Sequence, residues 1–209
     1  SFYAPCLRTE SFIIWIDRPE IREGFGKVVG HPIKTTADIV DAMDKTFARF
    51  VKHGMGYAAM SIPTGFQTFE VADEDAQRIL DKAISGSELD CCEMSTWSAW
   101  AMNRVCDHCR KYKKPFHLMI GVNRDTYAHG VPRGTDLVDS VNSMRGYDYL
   151  LNTYWDVDFP TAVLSDTTGM ELMTAAWIRH NVYPSGHWWY SNQPTDIARE
   201  IRRRINAVP

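Results

Sequence analysis

Several features are scarce in this 209-residue sequence, and each scarcity excludes a class of protein. The five cysteines are an odd number without regular spacing, which argues against a secreted disulfide framework and for reduced thiols. No stretch approaches the ~18 to 20 consecutive apolar residues of a membrane span, and the first residues lack the basic, apolar and small-residue order of a signal peptide. A cytoplasmic protein without a membrane partner is expected. Charge of one sign is scarce as well. Lys and Arg total 23 against 26 Asp and Glu, a formal net charge of -3, which leaves no electrostatic footprint for nucleic acid. The densest basic run, Arg202-Arg203-Arg204, falls in a helical pattern and reads as a solvated face. Neither G-x-G-x-x-G nor a Walker A sequence occurs, which removes the usual dinucleotide and P-loop sites.

With 44% hydrophobic and 23% charged residues, the chain is long enough to bury one sizeable core. From about Thr35 onward, amphipathic helical patterns alternate with short apolar runs, the signature of βα units around a parallel sheet. The clearest helix starts at a capping-box pattern, Thr35 and Asp38. It carries Ile39, Met43, Phe47, Phe50 and Val51 at spacings of three and four, and ends at Gly54. Helices are also predicted near 73–85, closed by Gly86, and near 95–113, 135–154, 169–180 and 195–206. In the last of these, Ile197, Ile201 and Ile205 form one stripe. Strands are predicted at 2–8, 56–62, 115–121, 160–165 and within 182–189, with a polar loop holding Asn123, Arg124 and Asp125. Five parallel strands without a glycine-rich first turn favour an α/β barrel of the (β/α)8 type over an open doubly wound sheet. About five βα units make an incomplete barrel. Both termini fall against predicted elements, so residues 1–209 read as a single partial barrel domain within a longer chain.

Barrel chemistry sits at the C-terminal ends of the strands. The candidates are therefore Arg8 to Glu10, Ser61, Asn123 to Asp125, Ser165 to Thr168, and His187 to Asn192. Arg8 and Arg124 follow strands, where a guanidinium fork clamps a carboxylate in two-point geometry; a surface salt bridge competes for the same residues. Trp188 and Trp189 turn to opposite faces of a strand, so one packs inside while the other walls a pocket. Cys91, Cys92, Cys106 and Cys109 contain enough thiolates for a structural zinc. However, Met102, Val105, Cys106 and Cys109 share a helical stripe, which makes buried thiols the simpler reading. Cys6 has no neighbouring base. Of seven histidines, only His117 and His187 fall inside predicted strands.

Four of these segments, taken in order, resemble the uronate isomerase family, a branch of the amidohydrolase superfamily. PCLRTE, 5–10, is similar to that family's P-S-F-R-P-D segment, and TTADIVDAMDKTFARFVKHGM, 35–55, to its R-T-x-D-D-L-x-x-A-L helix. FHLMIGVNRD, 116–125, resembles M-Q-L-H-I-G-A-L-R-N, and GHWWYSNQ, 186–193, resembles G-S-A-W-W-F-N-D-Q. The resemblance implies a (β/α)8 barrel of which this chain covers strands three to seven, and an aldose-ketose isomerisation of a hexuronate such as D-glucuronate. It implies substrate contacts from Arg8, Arg124, Trp188, Trp189 and Asn192, a sugar acid as small-molecule partner, and the rest of the barrel or a second copy as protein partner. A divalent metal such as zinc is implied where the missing strands are present. The family's H-x-H and T-D-S-R-S-F motifs occur nowhere in the sequence, and its fifth-strand histidine becomes Met119, with His117 two residues earlier. Two further readings stay open. One is a different amidohydrolase-type reaction, hydrolysis of a lactone or amide or decarboxylation of a small carboxylic acid; the other is a non-catalytic barrel segment that binds a partner chain.

Overall fold

Alternation along the strands decides which way each one faces. In Phe116–Ile120 the residues Phe116, Leu118 and Ile120 are buried, while His117 and Met119 between them are half-exposed. The protein, seen in a computed structural model, is described at residues 3–123, 126–127, 129, 137–138, 142–163, 168–169, 171–172, 180–185 and 194–207. Its elements run β1 (Cys6–Arg8), α1 (Glu10–Ile13), α2 (Pro19–Val29), α3 (Thr36–Lys52), β2 (Tyr57–Ile62), α4 (Asp73–Ile84), α5 (Cys91–Tyr112) and β3 (Phe116–Ile120). Then follow β4 (Val122–Asn123), β5 (Leu137–Val138), a 3-10 turn (Met144–Tyr147), α6 (Asp148–Thr153), β6 (Phe159–Val163), β7 (Val182–Pro184) and the helix Pro194–Ala207.

Five strands form one sheet in the order β1-β2-β3-β6-β7, with parallel pairing of β1 with β2, β3 with β6 and β6 with β7. Strand order follows chain order without reversal. A doubly wound sheet reverses direction at a switch point, whereas an arc of a barrel does not. The sheet is therefore a partial α/β barrel, as the sequence pattern predicts.

The chain divides into two compact units, 1–60 with 67–116, and 61–66 with 117–209. In the first, α3 is initiated by the predicted capping box. Thr35 Oγ1 accepts the Asp38 N–H, the Asp38 carboxylate accepts the Thr35 N–H, and Gly54 just beyond the helix has φ +83°. Its apolar stripe of Ile39, Met43 and Phe47 is fully buried, and α3 packs on α5. Helix α5 opens with a second capping box, Asp90 with Glu93. It starts at Cys91, four residues earlier than the apolar pattern alone places it, because the polar first turn carries no periodicity. Trp97 and Trp100 are buried inside it with ring centroids 5.0 Å apart.

Helices α1 and α2 have no counterpart in the predicted elements. Pro19 at the first turn of α2 and Gly30 at its end (φ +94°) are the start and stop signals of an ordinary helix. Phe25 is its main buried apolar side chain, stacked on Phe12 at 4.5 Å. One buried aromatic does not make a readable stripe.

In the second unit β6 lies between β3 and β7, with Met119 opposite Ala162 and Pro160 opposite Tyr183. The segment 135–154, predicted as one helix, instead contains β5, the 3-10 turn and α6. Strand β5 pairs antiparallel with β4, so Asn123 sits in a two-residue ladder and not in an open loop. Asn181 secures the entry to β7. Its side-chain amide donates to the carbonyls of Tyr154 and Val157 at 3.2 and 3.0 Å. In the helix Pro194–Ala207, the predicted stripe of Ile197, Ile201 and Ile205 is 45 to 68% exposed and forms no part of the core. No helix among the described residues is long and apolar enough to cross a membrane.

Candidate active site at the strand ends

At the end of β1 the chain turns sharply into α1, and this turn fixes the first candidate. Thr9 is fully buried. Both its N–H and its hydroxyl donate to the Ala59 carbonyl, at 3.0 and 3.2 Å, which pins the β1 rim to β2. Arg8 before it and Glu10 after it then meet. Arg8 Nε donates to Glu10 Oε2 at 3.1 Å, and Arg8 Nη2 pairs with Glu10 Oε1. The fork is two-pronged, with the Arg8 side chain 46% exposed and that of Glu10 only 9%. Glu10 occupies two of the five guanidinium N–H groups and fixes the plane of the fork.

The position of Glu10 depends on α5. The last carbonyls of a helix have no partners within it, and in α1 two of them are met from outside. Trp97 Nε1 donates to the Phe12 carbonyl at 3.0 Å and Ser98 Oγ to the Ile13 carbonyl at 2.9 Å. Arg22 Nη1 likewise donates to the Ile16 carbonyl at 2.6 Å. Cys6, on the same face of the sheet as Arg8, is half-buried. Burial pushes its thiol pKa up, with Arg8 acting in the opposite direction, so Cys6 is a protonated strand residue and not an activated nucleophile.

In the second unit, Thr64 Oγ1 donates to Asn123 Oδ1 at 2.8 Å beyond the end of β2, and the Gly121 N–H donates to the Ile62 carbonyl at 3.1 Å. Ser61 is buried within the strand. His117 points to the half-exposed face and meets Ser185, just past β7, with 2.7 Å between His117 Nε2 and Ser185 Oγ. Thr168 is buried, its hydroxyl donating to the Asn142 carbonyl at 2.9 Å. Arg124, Trp188, Trp189 and Asn192, together with Asp125, Ser165 and His187, lie outside the described residues. Sequence reasoning missed Thr64 and Ser185. Thr64 directly follows the strand-stopping Pro63, and Ser185 stands between Pro184 and Gly186. Both carry the punctuation of a strand end, but neither announces its partner 59 or 68 residues away.

Glucuronate isomerase is the description of the family model that matches residues 4–206. The chain belongs to the glucuronate isomerase family. Solved structures agree on the fold of this family member. It is similar to a uronate isomerase of Thermotoga maritima, with TM-score 0.88 and 21% identity, covering 97% of this chain and 47% of that one. A glucuronate isomerase of Caulobacter crescentus aligns with TM-score 0.83 and 17% identity over 96% and 44% of the two chains. A uronate isomerase of Bacillus halodurans gives 0.68 and 21% over 97% and 42%. This family member thus spans somewhat under half the length of the solved structures it matches. No curated protein sequence matches it.

Divalent metal is the cofactor the family resemblance implies, and the described side chains do not fit one at the strand ends. Among the described residues, a single group of three potential ligands gathers within 4.8 Å: Asp90, Cys91 and Cys92, all exposed at the start of α5. Cys106 and Cys109 are buried in the middle and last turns of that helix. Their thiols are pushed up by burial, so the four-thiolate zinc set is not assembled and the structural reading of these two cysteines holds.

Proposed function

We propose that this chain is the central part of a (β/α)8 barrel that binds a hexuronate and interconverts its aldose and ketose forms. The observation carrying this reading is the family match over residues 4–206, and the unreversed sheet order is consistent with it. In the proposal, residues 1–209 are one partial barrel domain within a cytoplasmic enzyme of carbohydrate metabolism. The remaining strands, from the same polypeptide or a second copy, complete the barrel.

The isomerisation shifts a C–H proton between adjacent carbons and relocates the proton of a neighbouring hydroxyl, which requires a held substrate and stabilised oxygen charge. Arg8 is suited to hold the sugar-acid carboxylate, because Glu10 fixes the plane of its fork while nearly half of the side chain remains accessible. Arg124, Trp188, Trp189 and Asn192 are the further residues proposed to contact the substrate. The test is to incubate full-length protein with D-glucuronate and D-galacturonate, with and without added divalent metal, and to follow the ketose product by NMR. Ketose formation supports the reading. Turnover of lactones or aromatic acids with none of either hexuronate assigns the barrel to the different amidohydrolase-type reaction.

A further inference from the structure

The hydrogen bond between His117 and Ser185 spans strands that are not neighbours, since β6 lies between β3 and β7. Two strand spacings of about 4.8 Å separate their backbones. The bridge closes because β6 presents Pro160 and Ala162 on that face. Met119 and Ala162 are register partners, and His117 and Pro160 stand two residues earlier on the same side. Two compact side chains leave the corridor that the imidazole crosses.

The pair is also directional. Ser185 follows Pro184, which is opposite Thr161, and its N–H donates to the Thr161 carbonyl at 2.8 Å. This sets Ser185 about level with Ala162 and Met119, while His117 lies one pleat period, about 6.6 Å, deeper along β3. The hydroxyl therefore sits nearer the strand ends, where barrel chemistry takes place, and the imidazole stands behind it. A hydroxyl in front of a ring nitrogen at 2.7 Å is the geometry of a serviced proton carrier.

We infer that His117 and Ser185 form a proton relay acting on the oxygen atoms of the bound sugar, an assignment that rests on the hexuronate reading above. As the aldose passes to the ketose, the C2 hydroxyl gives up its proton and the C1 oxygen gains one. Ser185 Oγ accepts the C2 hydroxyl proton while its own O–H proton passes to His117 Nε2. The serine returns neutral and the positive charge rests on the imidazolium. The reverse transfer, again through Ser185, delivers the proton to the C1 oxygen and restores the neutral ring. The C–H proton is not assigned to this pair.

The experiment compares full-length protein with Ser185→Ala, Ser185→Thr and His117→Gln on D-glucuronate and D-galacturonate, with folding checked by circular dichroism. Loss of general acid-base assistance predicts a kcat lower by about 10²- to 10⁴-fold in Ser185→Ala and His117→Gln. KM should stay nearly unchanged, and Ser185→Thr, which keeps the hydroxyl, should recover most of the rate. Folded Ala and Gln variants with near-normal kcat overturn the relay and leave the isomerase reading intact. Where the unsubstituted protein converts neither hexuronate, the isomerase reading falls. The ring-nitrogen NMR shifts of His117 then decide, and they need no variant to fold. Movement on adding D-glucuronate but not D-glucose keeps the pair as a sugar-acid contact, and no movement removes it.

Discussion

Replacing Trp97 with Phe tests how the rim at Arg8 is held in place. The indole is fully buried and its N–H is the donor to the Phe12 carbonyl. Phenylalanine keeps an aromatic ring but removes that donor, leaving a buried carbonyl unpaired at about 1–3 kcal/mol. The smaller ring also leaves unfilled space beside Trp100, costing about 1–2 kcal/mol more. The expected loss is therefore about 2–5 kcal/mol, a large share of the roughly 5–15 kcal/mol that holds a typical domain together. Urea denaturation followed by fluorescence and circular dichroism should show a lower midpoint with an unchanged slope. Ser98→Ala removes the adjacent donor, to Ile13, and should cost about 1–3 kcal/mol alone. Because both donors cap the same four-residue helix, the double variant should be non-additive by at least about 0.5 kcal/mol. A loss below about 1 kcal/mol for Trp97→Phe, or strict additivity, would refute the claim that α5 holds α1.

Thr35→Ala removes half of the α3 capping box and should cost about 1 kcal/mol in the same assay. Thiol labelling of folded protein should modify the exposed Cys91 and Cys92, while the buried Cys106 and Cys109 react only after denaturation. Burial alone would raise the Asp44 pKa, but hydrogen bonds from Lys111 and Tyr112 and the charges of Lys111 and His108 outweigh it and hold it below the usual value. A depressed folded pKa means stability that is present above the unfolded carboxylate value of about 3.9 and lost as pH falls through the folded value. Asp44→Asn should therefore lose stability at neutral pH and narrow its gap to the unsubstituted protein in acid titrations below about pH 4. In full-length protein, Arg8→Lys breaks the two-pronged fork and should raise the KM for a hexuronate about tenfold with little change in kcat.

What was legible in the sequence was periodicity and punctuation. Thr35, Asp38 and the Ile39-Met43-Phe47 stripe announced α3 because a helix that packs on one face must repeat its apolar residues every three to four positions. Helix α2 lacks that repeat, and its proline and glycine boundaries were the only signal. The segment 135–154 is predicted as one helix, yet its β5 residues Leu137 and Val138 take their conformation from pairing with β4, a partner no local pattern reveals. The place of Arg8 at the end of a strand was legible in the sequence. Glu10, two positions on, fell in the same strand-end stretch, but its pairing with Arg8 was not legible. Pairings such as Thr64 with Asn123 are set by tertiary neighbourhood, which one-dimensional spacing does not encode.

The two donors that α5 extends to α1 have a consequence for biosynthesis. Trp97 and Ser98 lie 85 residues after the carbonyls they meet. At about 5–20 residues per second of translation, roughly 4–17 seconds separate the emergence of α1 from the arrival of its clasp. During that interval Phe12, Ile13 and Ile16, all buried in the finished fold, lack the cover of α5, and Phe25 of α2 is the packing partner already synthesised. A ribosome-bound chaperone that recognises short apolar stretches would find one there, and would be displaced when the tryptophan pair clears the exit tunnel.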